Sequence, residues 1–330
     1  MQIGFFEVED WEIETIKKNF PSSLISADKI NAENVHSYTG LEAVSTFIYS
    51  DLQAPILEKL LNLKLIATHS TGWDHVDNEY CKSHNIAVVN VPTYGERTVA
   101  EHTFGLILTL TRKLYDSIEH TKRGNYSIEG LRGIDLCGKT LGVIGLGNIG
   151  VEVVKIAKGF DMKVLVYTRT QKPELATNLG FTYADLSTLL STSDIITLHI
   201  PYTKETHHLI NKESIMNMKK NSYLINTSRG GLIDSEAIFI GLEKEILAGV
   251  GLDVLEDEFV LKEEAQLLST EFRKQVNYES LVYDHLILRH PKVVVTPHNA
   301  FNSQEAIERI LTTTIANITA FIGNVPQNTV

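Results

Sequence analysis

The sequence predicts an α/β protein built from two doubly wound parallel-sheet domains, and three observations support this prediction. The chain has 330 residues, which at roughly 150 residues per domain suggests two domains. Short apolar segments alternate with longer amphipathic ones, the order that places helices on both faces of a parallel sheet. Predicted strands such as 141–145 (LGVIG) and 194–200 (DIITLHI) are nearly continuous apolar runs, as expected for strands buried on both faces.

The individual elements follow from these segments in chain order. Strands are predicted where β-branched and other apolar residues cluster over a few positions, and helices where apolar residues recur at helical spacing. The predicted strands are 2–6, 45–49, 64–68, 86–89, 140–145, 163–167, 194–200, 222–226, 247–252 and 292–296. The predicted helices are 11–19, 55–61, 74–83, 97–122, 148–159, 211–218, 234–244 and 303–322.

The longest helical pattern, 97–122, predicts one continuous helix of about seven turns. Its centre, Phe104-Gly105-Leu106-Ile107-Leu108, is strongly apolar, and Gly105 would allow another helix to approach closely. We therefore predict a homodimer built on this helix. The alternative is that the same apolar face packs inside its own chain.

The order of the elements also predicts the domain boundaries. A first lobe covers 1–93, a second covers 94–297, and the final helix is expected to fold back onto the first lobe, so that 298–330 belongs with it. The stretch 259–290 is long and mixed in composition. It is predicted to be an insertion with some helix, and its sequence does not indicate a role.

Composition excludes several classes of function. Lys and Arg total 30 against 41 Asp and Glu, giving a formal net charge of −11, which disfavours nucleic acid as the main partner. The two cysteines, Cys81 and Cys137, have no metal-binding or disulfide spacing, as is typical of a reducing cytoplasm. No apolar run reaches the roughly 18 residues of a membrane helix, and the acidic N-terminus does not resemble a signal peptide. We therefore expect a cytoplasmic protein without a membrane partner.

The clearest chemical motif is a glycine-rich turn between a predicted strand and a predicted helix. Gly145, Gly147 and Gly150 form a GxGxxG pattern after the strand 140–145. In a dinucleotide site the first glycine makes the tight turn, the second lets backbone approach the pyrophosphate, and the third lets the helix pack on the strand. The pattern and its context predict that 94–297 binds a dinucleotide, and that 1–93 with 298–330 forms the substrate domain.

The end of the next strand indicates which dinucleotide is preferred. An NAD site usually has a carboxylate here, which accepts a hydrogen bond from the ribose 2′-OH. This chain has Thr168-Arg169-Thr170 instead, so no carboxylate repels a 2′-phosphate, and Arg169 could bind one. The sequence therefore leans towards NADP. The alternative is that Arg169 is a solvated side chain and that NAD is still accepted.

Four further segments, together with the glycine-rich turn, resemble the D-isomer-specific 2-hydroxyacid dehydrogenases over nearly the whole chain. They are STGWDHVD (70–77), VAEHTFGLILTL (99–110), LINTSRGGLID (224–234) and VTPHNAF (295–301). The phrase GLDVLEDE (251–258), followed by the long insertion, is most similar to the D-lactate dehydrogenase branch. The resemblance implies two Rossmann- or flavodoxin-like domains with the active site in the cleft between them.

The resemblance also implies roles for individual residues. Arg229 matches the substrate-binding arginine, Glu258 the catalytic carboxylate and His298 the acid/base histidine. The substrate-binding matches are Ser70, Thr71, Gly72 and Tyr94. The remaining cofactor-binding matches, beside the three glycines, Thr168 and Arg169, are Thr98, Asn148, Ile149, His199, Pro201, Thr227 and Asp253, with Asp253 near the nicotinamide amide.

These residue types suit the implied reaction. Reduction of a 2-oxoacid requires a proton at the carbonyl oxygen, which a histidine can donate and take back in the reverse direction. Glu258 beside it would fix the tautomer and favour the imidazolium. Arg229 offers a planar fork to carboxylate and carbonyl oxygens, so no metal is expected. His207-His208 and Glu101-His102 lack the spacing of a zinc site.

Two departures from the lactate-type pattern lie on the substrate side. The usual Tyr-Ser-Pro is replaced by Tyr94-Gly95-Glu96, and Glu7 stands near the place where an arginine is usual after the first strand. The resemblance to the D-lactate dehydrogenase branch still makes pyruvate/D-lactate the first expectation for the substrate. Glyoxylate or hydroxypyruvate reduction is the alternative within the enzyme class, and a dinucleotide-sensing corepressor-like binding protein is the alternative from another class.

Overall fold

The protein is described by a computed structural model that covers residues 1–73, 75–256 and 278–330. The chain divides into two compact units. The first comprises Met1–Tyr94 and Ser303–Val330, and the second comprises Gly95–Asn302. Each unit is built on its own parallel sheet.

The first unit contains a five-stranded parallel sheet in the order β2-β1-β3-β4-β5. Its strands are β1 (Ile3–Phe5), β2 (Leu24–Ile25), β3 (Ala43–Thr46), β4 (Leu65–Thr68) and β5 (Ala87–Val89). Its helices are α1 (Asp10–Asn19), α2 (Ala54–Leu57), α3 (Asn78–Ser83) and, from the end of the chain, α12 (Gln304–Ile322), with a 3₁₀ turn at Val35–Tyr38.

Apolar side chains cover both faces of this first sheet. Adjacent strand residues point to opposite faces, so Leu65 packs in one apolar cluster and Ile66 in the other. Helix α12 contributes Leu311 and Ile318 to the cluster that contains Leu65. The side chain of Asn317 donates to the backbone oxygen of Asn90 at 2.8 Å, which fastens α12 to the segment that follows β5.

The second unit contains a seven-stranded parallel sheet in the order β12-β11-β10-β9-β6-β7-β8. Its strands are β6 (Thr140–Ile144), β7 (Lys163–Tyr167), β8 (Thr182–Tyr183), β9 (Ile195–Leu198), β10 (Ser222–Asn226), β11 (Leu247–Leu252) and β12 (Val293–Val295). Its described helices are α4 (Glu96–Thr111), α5 (Leu114–Lys122), α6 (Asn148–Gly159), α7 (Pro173–Leu179), α8 (Leu186–Thr192), α9 (Lys212–Met216), α10 (Ser235–Glu243) and α11 (Tyr278–Leu288), with a 3₁₀ turn at Gly230–Leu232.

The predicted fold class of two parallel-sheet α/β domains is confirmed. The strands missed by the sequence are β2 and β8, which have two residues each and lie at the outer edges of their sheets. Such short, partly exposed edge strands leave little apolar pattern to detect. Among the described residues, no helix has the length and apolar character that crossing a membrane requires.

The prediction of one continuous helix over 97–122 is wrong. The chain forms α4 and α5 instead, because Lys113 adopts a left-handed backbone with φ of 54° between them. The apolar centre of α4 is also buried within its own unit: Phe104, Leu106 and Ile107 all pack in the core cluster that contains α6 and β6. These three side chains therefore pack inside their own chain, whereas Gly105 is exposed and Leu108 is half-buried, and the homodimer stays a prediction.

The units and the predicted domains differ at two boundaries: Tyr94 belongs to the first unit, one residue beyond the predicted end of the first lobe, and the larger difference is at the end of the second domain. Residues 298–302 belong to the second unit, whereas the sequence assigned them to the first domain. The physical reason is the carboxylate of Asp253, which follows β11 and accepts hydrogen bonds from the backbone N–H groups of Asn299 and Ala300. These bonds hold the segment after β12 against its own sheet.

Candidate functional site

The glycine-rich turn joins β6 to α6 in the second unit. Gly145 has φ of 100°, a backbone conformation that favours glycine, and a Cβ there would overlap the backbone oxygen of His199. A Cβ on Gly150 would overlap the backbone oxygen of Gly145. These two glycines are therefore required by close packing between the turn, α6 and the segment that follows β9.

Gly147 differs from the other two glycines because a Cβ there would meet no described atom within 4 Å. It is the N-cap of the twelve-residue helix α6 and, being glycine, has no side chain that could cap that helix terminus. The N–H groups of the first helical turn, which includes Asn148 and Ile149, therefore face open space with the positive end of the helix dipole. A pyrophosphate fits this cradle.

The end of β7 carries the residues expected to face the adenosine ribose. Thr168 is half-buried, whereas Arg169 and Thr170 are exposed. The pKa of the Glu205 carboxylate is lowered, first by a hydrogen bond from the Thr203 side chain and to a smaller extent by the positive charge of Arg169. Nothing in the sequence around Arg169 indicates Glu205, because the two residues are distant along the chain.

The segment after β9 contributes His199 and Pro201. The Nε2 atom of His199 lies 2.9 Å from Oγ1 of Thr197, and its buried Nδ1 has no hydrogen-bond partner among the described residues. Burial lowers the pKa of His199 to about 3, so the ring is neutral at physiological pH. A buried, unpaired ring nitrogen beside the Gly145 turn is a polar group that a bound ligand could satisfy.

The loop after β10 carries Arg229 and is fixed by its own side chains. The amide of Asn226 donates to the backbone oxygen of Arg229 at 2.9 Å, and its oxygen accepts from the N–H of Ser228 at 3.0 Å. A Cβ on Gly230 would overlap the backbone of Leu255. The guanidinium of Arg229 is exposed, and its Nη1 donates to the backbone oxygen of Ser228.

The loop after β12 carries His298 and is held by a buried carboxylate. Asp253, which is 1% exposed, accepts hydrogen bonds from Oγ1 of Thr296 at 2.5 Å, from N of Asn299 at 3.0 Å and from N of Ala300 at 2.8 Å. His298 lies between these anchors with φ of 55°. Asp253 therefore determines where the backbone of His298 lies.

The first unit contains the other predicted substrate loop, at the carboxyl end of β4. Oγ of Ser70 donates to the oxygen of Gly72 at 2.6 Å, and Oγ1 of Thr71 donates to the oxygen of Val91 at 2.8 Å. The amide of Asn90 donates to the oxygen of Thr71 at 2.7 Å. Both hydroxyls are thus used within the unit, and they fix the shape of the loop.

The remaining predicted site residues lie near the start of α4 or outside the described residues. Tyr94 is half-buried in the first unit, and its backbone oxygen accepts from Nε of Arg309 at 2.8 Å. Thr98 is half-buried in the first turn of α4, and Thr227, after β10, has its Oγ1 3.0 Å from Oγ1 of Thr103. Glu258 lies outside the described residues, as does most of the predicted insertion.

Glu7 is the substrate-side departure that the sequence could flag but not explain. It has φ of 60°, and its carboxylate accepts from the backbone N–H groups of Ile48, Tyr49 and Ser50 at 2.8–3.1 Å. The hydroxyls of Ser50 and Thr46 also donate to it. Glu7 therefore fixes the loop that follows β3.

Comparison with known proteins places this architecture in a family. The model of the D-isomer-specific 2-hydroxyacid dehydrogenase NAD-binding domain matches residues 104–300. The D-lactate dehydrogenase of Escherichia coli strain K12 is 35% identical over 324 residues, which cover 96% of each chain. The glyoxylate reductase of Thermococcus litoralis is 32% identical over 334 residues, covering 99% of this chain and 91% of its own.

A solved structure shows the same similarity in three dimensions. The D-lactate dehydrogenase of Aquifex aeolicus, complexed with NAD and lactic acid, superposes with a TM-score of 0.86 at 35% identity, covering 98% of this chain and 96% of its own. The predicted resemblance and enzyme class are confirmed, and the chain uses a nicotinamide cofactor to act on a CH–OH group. The glycine-rich turn, the parallel sheets and these matches together show that the chain belongs to the D-isomer-specific 2-hydroxyacid dehydrogenase family.

Proposed function

We propose that this enzyme reduces small 2-oxoacids, with pyruvate as the first substrate and D-lactate as its product. The observation that carries the proposal is the loop after β12. The buried carboxylate of Asp253 accepts hydrogen bonds from Thr296, Asn299 and Ala300 and so holds His298 at a fixed place beside the carboxyl end of the sheet. A histidine held in this way is suited to proton transfer at one oxygen.

In this proposal the chain supplies the proton and binds the charges of the substrate. When bound, the reduced nicotinamide supplies the hydride. Protonated His298 donates its proton to the carbonyl oxygen, which becomes the hydroxyl of the product, and neutral His298 takes the proton back in the reverse direction. The guanidinium of Arg229 binds the carboxylate and polarises the carbonyl. Glu258 is proposed to orient His298.

The first unit is proposed to bind the substrate through its loop after β4. Because the hydroxyls of Ser70 and Thr71 are used to fix the loop, the backbone N–H groups of Ser70, Thr71 and Gly72 are proposed to bind the carboxylate. Tyr94 is proposed to contact the side chain of the substrate. We accordingly propose that the first unit is the substrate domain and the second is the dinucleotide-binding domain.

For the cofactor, we propose that NADPH is used at least as well as NADH. Thr168 carries no charge that would repel a 2′-phosphate, and Arg169 is exposed beside it. The Glu205 carboxylate near Arg169 opposes this preference, because it would repel a phosphate bound by Arg169. Replacing Glu205 by Gln should therefore raise the NADPH/NADH ratio of kcat/KM, whereas Thr168→Asp should lower it.

The other proposed cofactor contacts surround the glycine-rich turn. Gly145, Gly147, Gly150 and the first turn of α6 are proposed to bind the pyrophosphate. His199 and Asp253 are proposed to lie towards the nicotinamide. The remaining proposed contacts are Thr98, Pro201 and Thr227.

We also propose that the protein is a cytoplasmic homodimer. In α4, Phe104, Leu106 and Ile107 are buried but Gly105 is exposed. In addition, α5 and the following segment expose Leu114, Tyr115, Ile118, Tyr126 and Ile128, each more than 40% exposed. Such a cluster of exposed apolar side chains is typical of a protein interface. Both cysteines are free thiols, which is consistent with a reducing compartment. A monomeric mass by light scattering at micromolar concentration would refute the dimer.

Glyoxylate reduction is the second candidate, because the glyoxylate reductase of Thermococcus litoralis aligns with nearly the whole chain. The deciding experiment is a matrix of NADH and NADPH against pyruvate, glyoxylate, hydroxypyruvate, 2-oxobutyrate and phenylpyruvate. We expect the highest kcat/KM with pyruvate. A preference for glyoxylate or hydroxypyruvate would select the second candidate. Turnover of none of these acids, with retained NADH binding, would instead favour a dinucleotide-sensing binding protein.

A further inference from the structure

Helix α4 brings two adjacent side chains against the two loops that carry the proposed catalytic residues of the second unit. Nε2 of His102 lies 3.0 Å from Oγ1 of Thr296, two residues before His298. Oγ1 of Thr103 lies 3.0 Å from Oγ1 of Thr227, two residues before Arg229. Two adjacent residues of α4 therefore contact both loops.

The direction of the hydrogen bond between His102 and Thr296 follows from the other partners of the Thr296 hydroxyl. That hydroxyl lies 2.5 Å from Oδ1 of Asp253 and 3.4 Å from the backbone oxygen of Leu252. Both of these atoms are acceptors, so the single hydroxyl proton points towards them. The Thr296 oxygen must then accept from His102, which fixes the ring with its proton on Nε2.

The hydrogen bonds from His102 to Thr296 and from Thr296 to Asp253 lead to the residues on both sides of His298. Asp253 receives the Thr296 hydroxyl before His298 and the N–H groups of Asn299 and Ala300 after it. The left-handed backbone of His298 is unfavourable for any residue except glycine, so surrounding contacts must hold it. Without the bond from His102, Oγ1 of Thr296 would be free to turn away from Asp253.

We propose that His102 is a positioning residue for His298, acting through Thr296 and Asp253, an inference that rests on the proposed role of His298 in proton transfer. His102 donates from Nε2, the Thr296 hydroxyl relays to the carboxylate, and the carboxylate fixes the loop. The His102 side chain is 25% exposed, and its Nε2 lies 3.6 Å from Oδ1 of Asp253, so the ring lies at the edge of the buried network.

The test compares two substitutions of His102 in the full-length enzyme. His102→Leu keeps a similar volume but removes the donor, whereas His102→Gln keeps an N–H group that can reach Thr296. We expect His102→Leu to lower kcat for pyruvate by about ten- to a hundredfold, because small misplacements of a reacting group have effects of this size. The Kd for NADH should stay unchanged, and His102→Gln should recover most of the lost kcat.

A second pair of variants tests the relay without changing the histidine. Thr296→Val should repeat the loss of kcat, because it removes the hydroxyl while keeping the branched shape, and Thr296→Ser should retain activity. The control is Thr109→Val on the same helix, whose hydroxyl donates to the backbone oxygen of Gly105 at 2.7 Å within α4. This control should leave kcat unchanged.

The outcomes separate this inference from the proposed function. Wild-type kcat in both His102→Leu and Thr296→Val, with an inactive His298→Ala, would overturn the inference and leave the proposed function standing. Equal losses in His102→Leu and His102→Gln would also overturn it, because packing alone would then explain the residue. A wild-type enzyme that reduces no 2-oxoacid would overturn the proposed function itself.

Discussion

Replacing Asp253 by Asn is the most direct perturbation of the loop that holds His298. The carboxylate accepts from Thr296 and Asn299 through Oδ1 and from Ala300 through Oδ2, and the residue is 1% exposed. If the Asn oxygen takes the place of Oδ1, its NH₂ group faces the N–H of Ala300, which lies 2.8 Å from Oδ2. The NH₂ group and the N–H of Ala300 are both donors, so the hydrogen bond that Oδ2 accepted from Ala300 is lost at a buried position.

The cost of this change can be estimated from the lost bond. A hydrogen bond to a charged group contributes about 1.5–3 kcal/mol, and an unsatisfied buried donor costs about 1–3 kcal/mol. We therefore expect Asp253→Asn to lower the free energy of unfolding by about 3 kcal/mol. For a unit of this size, each kcal/mol corresponds to roughly 2–4 °C in Tm, so the transition of the second unit should move by about 6–12 °C.

The assay is calorimetric unfolding together with steady-state kinetics at a temperature where both proteins are folded. We expect kcat for the 2-oxoacid to fall, because the loop carrying His298 is released. Asp185→Asn is the matched control. Asp185 caps α8 and accepts from N of Thr188 at 2.8 Å, and Asn caps helices about as well as Asp. A change in Tm no larger in Asp253→Asn than in this control would refute the reasoning.

Four further predictions test the site and its environment. Arg229→Lys should lower kcat/KM for 2-oxoacids by about two to three orders of magnitude, or about 3–4 kcal/mol, since Lys lacks the planar fork; near-normal kcat/KM in a folded variant would exclude the role. His298→Ala should lower kcat by about 10²–10⁴-fold with an unchanged Kd for NADH, and retained turnover would reassign the proton donor. Gly150→Ala should weaken NADH binding measured by fluorescence titration, because its Cβ would overlap the backbone of Gly145; wild-type affinity would speak against the tight turn. Burial lowers the pKa of His69 to about 4, below its value near 6.5 in the unfolded chain. Between these two pH values the unfolded chain binds more protons than the folded one, so the free energy of unfolding should fall as the pH falls from about 6.5 to 4. The fall should reach up to about 3 kcal/mol, at roughly 1.4 kcal/mol per pKa unit. Denaturant unfolding from pH 7 to 4 checks this, and a slope that is unchanged in a folded His69→Gln variant would contradict it.

The sequence could predict the parts of the fold that depend on local pattern. Strand β6, the glycine-rich turn and α6 are adjacent along the chain, so periodicity and the GxGxxG spacing were enough to predict them. The break between α4 and α5 could not be predicted in this way. Lys113 is an ordinary helix former, and its left-handed backbone follows the end of α4, where the backbone oxygen of Thr111 accepts from the N–H of Ile134, a residue that is distant along the chain.

Family motifs could nominate residues for the candidate site, but contacts made over a long distance along the chain could not be read from them. Asp253 was expected near the nicotinamide, but its bonds to Thr296 and Ala300 depend on β11 and β12 being neighbours in the sheet. Likewise, nothing in the Glu101-His102 dipeptide indicates that its histidine would meet Thr296. Such pairs become visible only when the register of the strands is known.

Glu7 shows how the fold can accommodate a negative charge at a position where the family usually has a positive one. A carboxylate near an anionic substrate would normally repel it. Here three backbone N–H groups and two hydroxyls, from the segment 46–50, donate to that carboxylate, and such a concave set of N–H groups carries positive potential. The loop after β3 therefore binds the Glu7 carboxylate with its own hydrogen-bond donors. The loss of the usual arginine at this position is compatible with a 2-oxoacid substrate, because the carboxylate of Glu7 is used in hydrogen bonds to the loop after β3.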